Sequence, residues 1–153
     1  MNAPRPSVLP VTLIHDNAST DLADLAAEAV GMRAARQIAF DAFEAAGEFG
    51  PGQYWLFYDL QTADRAIDLQ DRIVAAGGEA IAVGQEPGHI WFGPRHGRAS
   101  SGCLRCLKLW VANNRREPQH WSASKANGKP LRGSSQVPLS AAARAMAKVQ
   151  FSV

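Results

Sequence analysis

Apolar positions along the chain follow two rhythms, and the switches between them mark the elements. Val8 to Ile14 is a short apolar, β-prone run and predicts a strand, with Pro10 favouring an edge position or a delayed start. His15-Asp16-Asn17-Ala18-Ser19-Thr20 is a turn, and Ser19 or Thr20 is placed to cap a following helix. From Leu22 to about Ala46 the chain is alanine-rich, with Leu22, Leu25, Ala26, Ala29 and Val30 at helical spacing. Gly31 would split this stretch into two helices, the second presenting Ile38, Phe40 and Phe43 and ending near Gly47. Phe49-Gly50-Pro51-Gly52 is a turn. Gln53 to Leu60, with YWLFYDL at its centre, predicts a strand buried on both faces, as in a parallel sheet.

The alternation continues in the second half, without an internal sequence repeat. Thr62 caps a helix over Ala63–Ala76 whose inner face is Ile67, Ile73 and Val74, and Gly77-Gly78 ends it. Two short strands follow, Glu79–Val83 and His89–Phe92, joined by a hairpin at Glu86-Pro87-Gly88. Residues 93–102, GPRHGRASSG, form a glycine-rich basic loop. Cys103–Val111 returns to helical spacing, with Leu104, Leu107 and Val111 on one side. The alternation of strands and helices predicts an α/β domain, a mostly parallel sheet flanked by helices. The expected division is a loose arm at 1–7, the α/β domain at 8–112, a basic linker at 113–138, and a helix at 139–149 that Ser140 can cap, with its tail to residue 153.

Composition adds limits. The chain has 153 residues, with 46% hydrophobic and 20% charged, which suits one globular domain with its own core. No apolar run approaches the roughly 20 residues needed to cross a bilayer. The N-terminus does not pattern as a signal peptide, so the expected location is cytoplasmic. The net charge of +2 conceals an asymmetry. Residues 1–94 hold five basic side chains against thirteen acidic ones, whereas residues 95–153 hold eleven basic ones, with Glu117 the one acidic side chain. Such a division suggests either a basic surface for an anionic partner or two halves facing each other in a dimer.

Candidate chemistry centres on Cys103-Leu104-Arg105-Cys106, the only two cysteines in the chain. At this spacing a tight turn or a first helical turn puts both sulfurs on one side, where they can hold a metal, act as a redox pair, or simply be buried together. A structural zinc wants four ligands, so the site within one chain is incomplete. His89, His96 or His120, or a CxxC pair from another chain, could supply the rest. A basic segment with interleaved aromatics, including Arg95, Arg98, Arg105, Lys108, Trp110, Arg115 and Arg116, could bind a peptide or a protein partner, or stack against nucleic acid. No GxGxxG follows the first strand and no GxxxxGK[ST] occurs, so there is no phosphate cradle. His15 and Asp16 lie where α/β sheets keep functional residues, but with no nucleophile nearby they read as a cap and turn.

The stretch HIWFGPRHGRASSGCLRCLKLW, residues 89–110, resembles the ThiF-like, ubiquitin-activating-enzyme-like partner proteins of YcaO-type azoline cyclodehydratases. The resemblance is carried by Gly93-Pro94, Gly97, Gly102 and Cys103-Leu104-Arg105-Cys106-Leu107, after a strand–helix–strand–strand run beginning at YWLFYDL. It implies a ThiF-like α/β domain that presents a precursor peptide to a YcaO-type enzyme without itself doing the chemistry. That family holds zinc with two CxxC pairs, and Cys103 and Cys106 match the first; the second has no counterpart here. The family's winged-helix leader-binding domain and nucleotide loop are also unmatched. The expectation is a non-catalytic accessory or scaffold subunit in the biosynthesis of thiazole- or oxazole-modified ribosomal peptides such as bacteriocins. Three readings follow from the missing second pair: zinc shared in a homodimer, zinc completed by a partner chain in a hetero-complex, or a degenerate domain with no metal. The alternative is a zinc-knuckle-like nucleic-acid-binding module using the basic C-terminal third.

Overall fold

The computed structural model describes residues 10–31, 34–86 and 89–114. They form a six-stranded sheet in the order β2-β1-β3-β4-β5-β6. Its strands are β1 (Val11–His15), β2 (Ala34–Ala39), β3 (Gln53–Asp59), β4 (Glu79–Glu86), β5 (His89–Gly97) and β6 (Ser100–Ser101). The first four are mutually parallel, and β5 and β6 run antiparallel at one edge. Helices α1 (Thr20–Val30), α2 (Phe40–Ala46), α3 (Ala63–Ala75) and α4 (Leu104–Asn114) complete the domain. The expected α/β class, mostly parallel and flanked by helices, is what the chain adopts. None of the described helices is long and apolar enough to cross a membrane.

Alternation along β3 explains the layering. Tyr54, Leu56 and Tyr58 face one side, with Phe40 and Phe43 of α2, Ala66, Leu69 and Ile73 of α3, and Leu104 of α4. Phe57, packed with Trp55, faces the other, against Leu22, Leu25 and Ala26 of α1. Because β3 is covered on both faces, its sequence shows no polar alternation. Chain direction dictates which helix lies where. Only the β1–α1–β2 unit moves toward the β2 edge, while β2–α2–β3 and β3–α3–β4 move the other way. Right-handed crossovers therefore put α1 on one face and α2 and α3 on the opposite one.

Two expectations need correction. The alanine-rich stretch after Gly31 is not a second helix from its start, because Ala34–Ala39 is the edge strand β2. AARQIA lacks the β-branched density of a strand, and its parallel pairing with β1 overrides propensity. Helix α2 then runs from Phe40 to Ala46 and is capped by Gly47, whose left-handed conformation (φ 63°) lets its N–H reach the Phe43 carbonyl. The glycine-rich loop at 93–102 is also largely sheet. Strand β5 continues through Gly93-Pro94, joined by a cis peptide, to Gly97, and turns back as β6. The expected hairpin between β4 and β5 forms, with Glu86 opposite His89. Residues 1–9 and 115–153, and so the arm, most of the basic linker and the final helix at 139–149, lie outside the described residues.

Candidate functional site

Cys103 follows β6 with only Gly102 between, at the entry to α4. A Cβ on Gly102 would stand 3.1 Å from the Pro94 Cβ and 3.2 Å from the Arg95 carbonyl oxygen, so the chain passes β5 at a distance that favours glycine. The Cys103 carbonyl accepts from Leu107 N–H at 3.1 Å, and its Sγ accepts from Cys106 N–H at 3.1 Å, so Cys103 acts as the helix cap. Both sulfurs lie on one side, as the spacing implies, and they are joined in a disulfide with Cα atoms 5.3 Å apart. Among the described residues no group of three or more His, Cys, Asp or Glu side chains could hold a metal, so neither His89 nor His96 completes a site with the cysteines. His120 lies outside those residues.

The start of α4 is fixed from below by Gln70 of α3, which is fully buried. Its Oε1 accepts from Leu104 N–H at 2.8 Å. Its Nε2 donates to the carbonyls of Ala80 and Pro94, both at 3.4 Å. One amide thereby links α3, β4, β5 and the cysteine-bearing helix. Leu104 and Val111 are buried and Leu107 is half-buried, as their spacing predicts.

The acidic and basic halves of the sequence meet here within one chain. Arg105 pairs with Asp71 at 2.8 Å and Asp68 at 3.5 Å, Lys108 with Asp64, and Arg95 with Glu79. These contacts are largely exposed and add little stability; the Arg105 and Lys108 pairs align α4 along α3, and Arg95 with Glu79 ties β5 to β4. Hydrogen bonding to the carboxylates raises the Arg95 and Arg105 guanidinium pKa values above the ordinary arginine value. Of the sequence-based partner-binding set, Arg95, Arg105 and Lys108 are thus engaged internally. Arg98 stands exposed at the β5–β6 turn. Trp110 is 63% exposed beside Leu109 at 60%. Arg115 and Arg116 lie outside the described residues.

A second concave feature opens at the carboxyl ends of β1 and β3, where the strand order reverses direction. Open α/β sheets keep ligand crevices at that point. The cleft has a volume of about 390 Å³ and is lined by His15, Asp16, Asp41, Asp59, Thr62 and Arg65 among others. Asp16 is its structural hub. Oδ1 accepts from Ser19 N–H at 2.6 Å, Oδ2 accepts from Asp59 N–H at 2.9 Å, and Oδ2 also accepts from the Thr62 hydroxyl. The sequence-based reading of Asp16 as a cap and turn residue matches this geometry. The capping assignments need adjusting, because neither Ser19 nor Thr62 caps its helix through its side chain. Asp59 instead holds the turn that leads into α3, its Oδ1 accepting from Gln61 N–H at 2.8 Å and Thr62 N–H at 3.1 Å. The sequence reading missed Asp59, Arg65 and Asp41 as cleft residues. Asp59 at the end of the strongest strand was the available signal, since that is where a parallel sheet opens.

Burial, and then the neighbouring Asp16 carboxylate, raise the Asp59 pKa. A carboxyl with a raised native pKa binds protons more readily folded than unfolded, so stability falls as pH rises from the ordinary aspartate range through the native pKa. Asp59→Asn keeps an oxygen acceptor for Gln61 and Thr62 and removes the charge. Its urea midpoint relative to wild type should be most favourable at neutral pH and should lose that advantage on acidification. A constant difference across pH would count against this assignment.

No protein-family model matches the chain, and no curated protein matches it. A solved structure does: a heterocyclase in complex with substrate and cofactor, at a TM-score of 0.61 and 16% identity. The match covers 94% of this chain and 18% of the heterocyclase chain. The likeness is one of fold. The chain therefore spans less than a fifth of the protein it matches, and at this identity the comparison carries no residue roles with it.

Proposed function

We propose that the chain is a non-catalytic accessory subunit in heterocycle-forming modification of ribosomal peptides, presenting a precursor peptide to a YcaO-type cyclodehydratase or assembling with it. The reading is supported by the fold likeness to part of a heterocyclase over 94% of the chain. The Gly-Pro strand and CLRCL helix entry add to it. Between Gly93 and Cys106 the chain builds a strand, a hairpin and a capped helix, with Trp110 and Leu109 exposed one to two turns further on. That is a rigid support with an apolar tip, suited to a protein or peptide surface and not to a reaction centre. A nucleic-acid role is weakened by the internal pairing of Arg95, Arg105 and Lys108.

In the reduced state Cys103 and Cys106 supply two thiolates to a structural zinc, and a second subunit supplies the remaining ligands. Calorimetry with a YcaO-type enzyme and precursor peptide encoded beside this chain should register binding to one or both. Metal content of the reduced complex should be one zinc per pair of CxxC motifs. Absence of binding to enzyme and peptide alike would overturn the accessory role, whatever the metal content.

A further inference from the structure

The cleft at the carboxyl ends of β1 and β3 stands apart from the accessory role, and its hydrogen-bonding capacity is one-sided. The donors around it are already spent. Ser19 N–H, Asp59 N–H and the Thr62 hydroxyl go to Asp16, while Gln61 N–H and Thr62 N–H go to Asp59 Oδ1. What is left over accepts. Asp59 Oδ2 receives no hydrogen bond among the described residues. Asp59 lines the cleft and is only 5% exposed, so its free oxygen is buried at the wall of that cavity. His15 adds a second acceptor. Its Nδ1 lies 2.9 Å from the Asp16 carbonyl oxygen and 3.4 Å from the Thr20 hydroxyl, whose own proton goes to the Asn17 carbonyl. Both neighbours of Nδ1 are therefore acceptors. In the neutral ring the proton sits on Nδ1, and Nε2 keeps a bare lone pair.

Charge narrows the class of ligand. Among the described lining residues Arg65 is the one arginine or lysine. It is committed: Nε donates to Glu44 at 3.0 Å, Nη2 donates to Asp41 and Glu44, and the guanidinium lies 5.6 Å over the Phe40 ring. Asp16 and Asp59 have no lysine or arginine paired with them among the described residues. A phosphate is disfavoured, because N–H groups leading into α1 and α3 that would cradle an anion already serve carboxylates. A divalent ion would want further ligands, and among the described residues no three His, Cys, Asp or Glu side chains converge. Phe40 and Ala18 supply apolar wall. We infer that this cleft binds the primary ammonium group of a small aliphatic amine or of a lysine side chain, held by Asp59 Oδ2 and His15 Nε2 with its carbon chain against Phe40. The volume of about 390 Å³ falls in the range of small-molecule sites. Burial, and then the Asp16 carboxylate, hold the Asp59 pKa up, and a bound ammonium offsets the second of these.

NMR titration of the full chain at about pH 8, where alkylammonium groups stay charged, tests the inference. Cadaverine probes a free amine, and Nα-acetyl-lysine amide probes a lysine side chain. Tetramethylammonium carries the charge without N–H donors. One or both amines should give saturating shifts at the Asp59 carboxyl carbon, the His15 ring and the Gln61 and Thr62 amides, and saturation should lower the Asp59 pKa. Saturation by the lysine derivative admits a peptide side chain as the source, whereas saturation by cadaverine alone restricts the site to free amines. Asp59→Asn should weaken binding about tenfold. No saturation by either amine, shifts that tetramethylammonium reproduces, or unchanged affinity in a folded Asp59→Asn chain would overturn the inference. The wild-type titrations decide it even where that variant does not fold.

Discussion

Asp16→Ala should destabilise the domain by about 4 kcal/mol, because it removes the buried charged acceptor on which three donors converge and leaves them only longer bonds, such as Ser19 N–H to the Asp16 carbonyl at 3.3 Å and Asp59 N–H to the Thr62 hydroxyl at 3.1 Å. Ser19 N–H, Asp59 N–H and the Thr62 hydroxyl all point at Asp16, which is 5% exposed. The two backbone donors belong to different segments, the start of α1 and the end of β3, so this side chain fastens the β1–α1 turn to the β3–α3 turn. Water cannot easily replace it at that burial. Asp16→Asn retains one oxygen acceptor and should recover roughly half of the loss. It should also lower the Asp59 pKa, because the Asp16 charge is one of its two raising causes. Denaturant unfolding of the two variants, with the Asp59 carboxyl followed by NMR through the titration, reads both effects. A loss below about 1 kcal/mol for Asp16→Ala would contradict the hub assignment.

Gln70→Leu is the second large effect, at about 3 kcal/mol. Leucine nearly matches the volume but removes the acceptor for Leu104 N–H and the donor for the Ala80 and Pro94 carbonyls in a fully buried position. The cost should be unevenly distributed. The contacts of Ile14, Phe43 and Leu56 do not depend on this amide, so the core persists, while the first turn of α4 loosens. Hydrogen exchange should therefore accelerate most at Leu104 and the residues following it. Uniform acceleration across β1 and β3 would mean that Gln70 supports the whole core and does not specifically anchor the cysteine-bearing helix.

Much of the architecture was legible because the decisive residues carry strong local signals. YWLFYDL could hardly be anything but a buried strand, and α3 shows both a clean apolar face and a Gly77-Gly78 stop. Strand β2 was hidden because Ala34-Ala35-Arg36-Gln37 expresses no β preference, and only its neighbour β1 makes it a strand. The far half of β5 was hidden because Gly93, Pro94 and Gly97 spell a loop locally, although β4 supplies the pairing. At the cleft, His15 and Asp16 were visible as a turn, but the partnership of Asp16 with Asp59 joins positions 43 residues apart, and no local pattern encodes it. The charge asymmetry suggested an anionic partner or a dimer seam. Sequence alone did not show that Asp64, Asp68, Asp71 and Glu79 meet their partners inside the same molecule.

The two rims of the sheet bear on how the protein behaves in a crowded solution. Strand β6 is only two residues long and pairs with His96 and Gly97, so it covers just the end of β5. On the opposite rim, β2 carries Arg36, tied to Glu48, and Gln37, which donates to Asp24 at 2.7 Å. An incoming chain would have to strip water from those groups before it could hydrogen-bond there. Lateral growth into fibrils is thus discouraged along the β2 rim, by polar and charged groups where a flat, greasy border would invite a further strand.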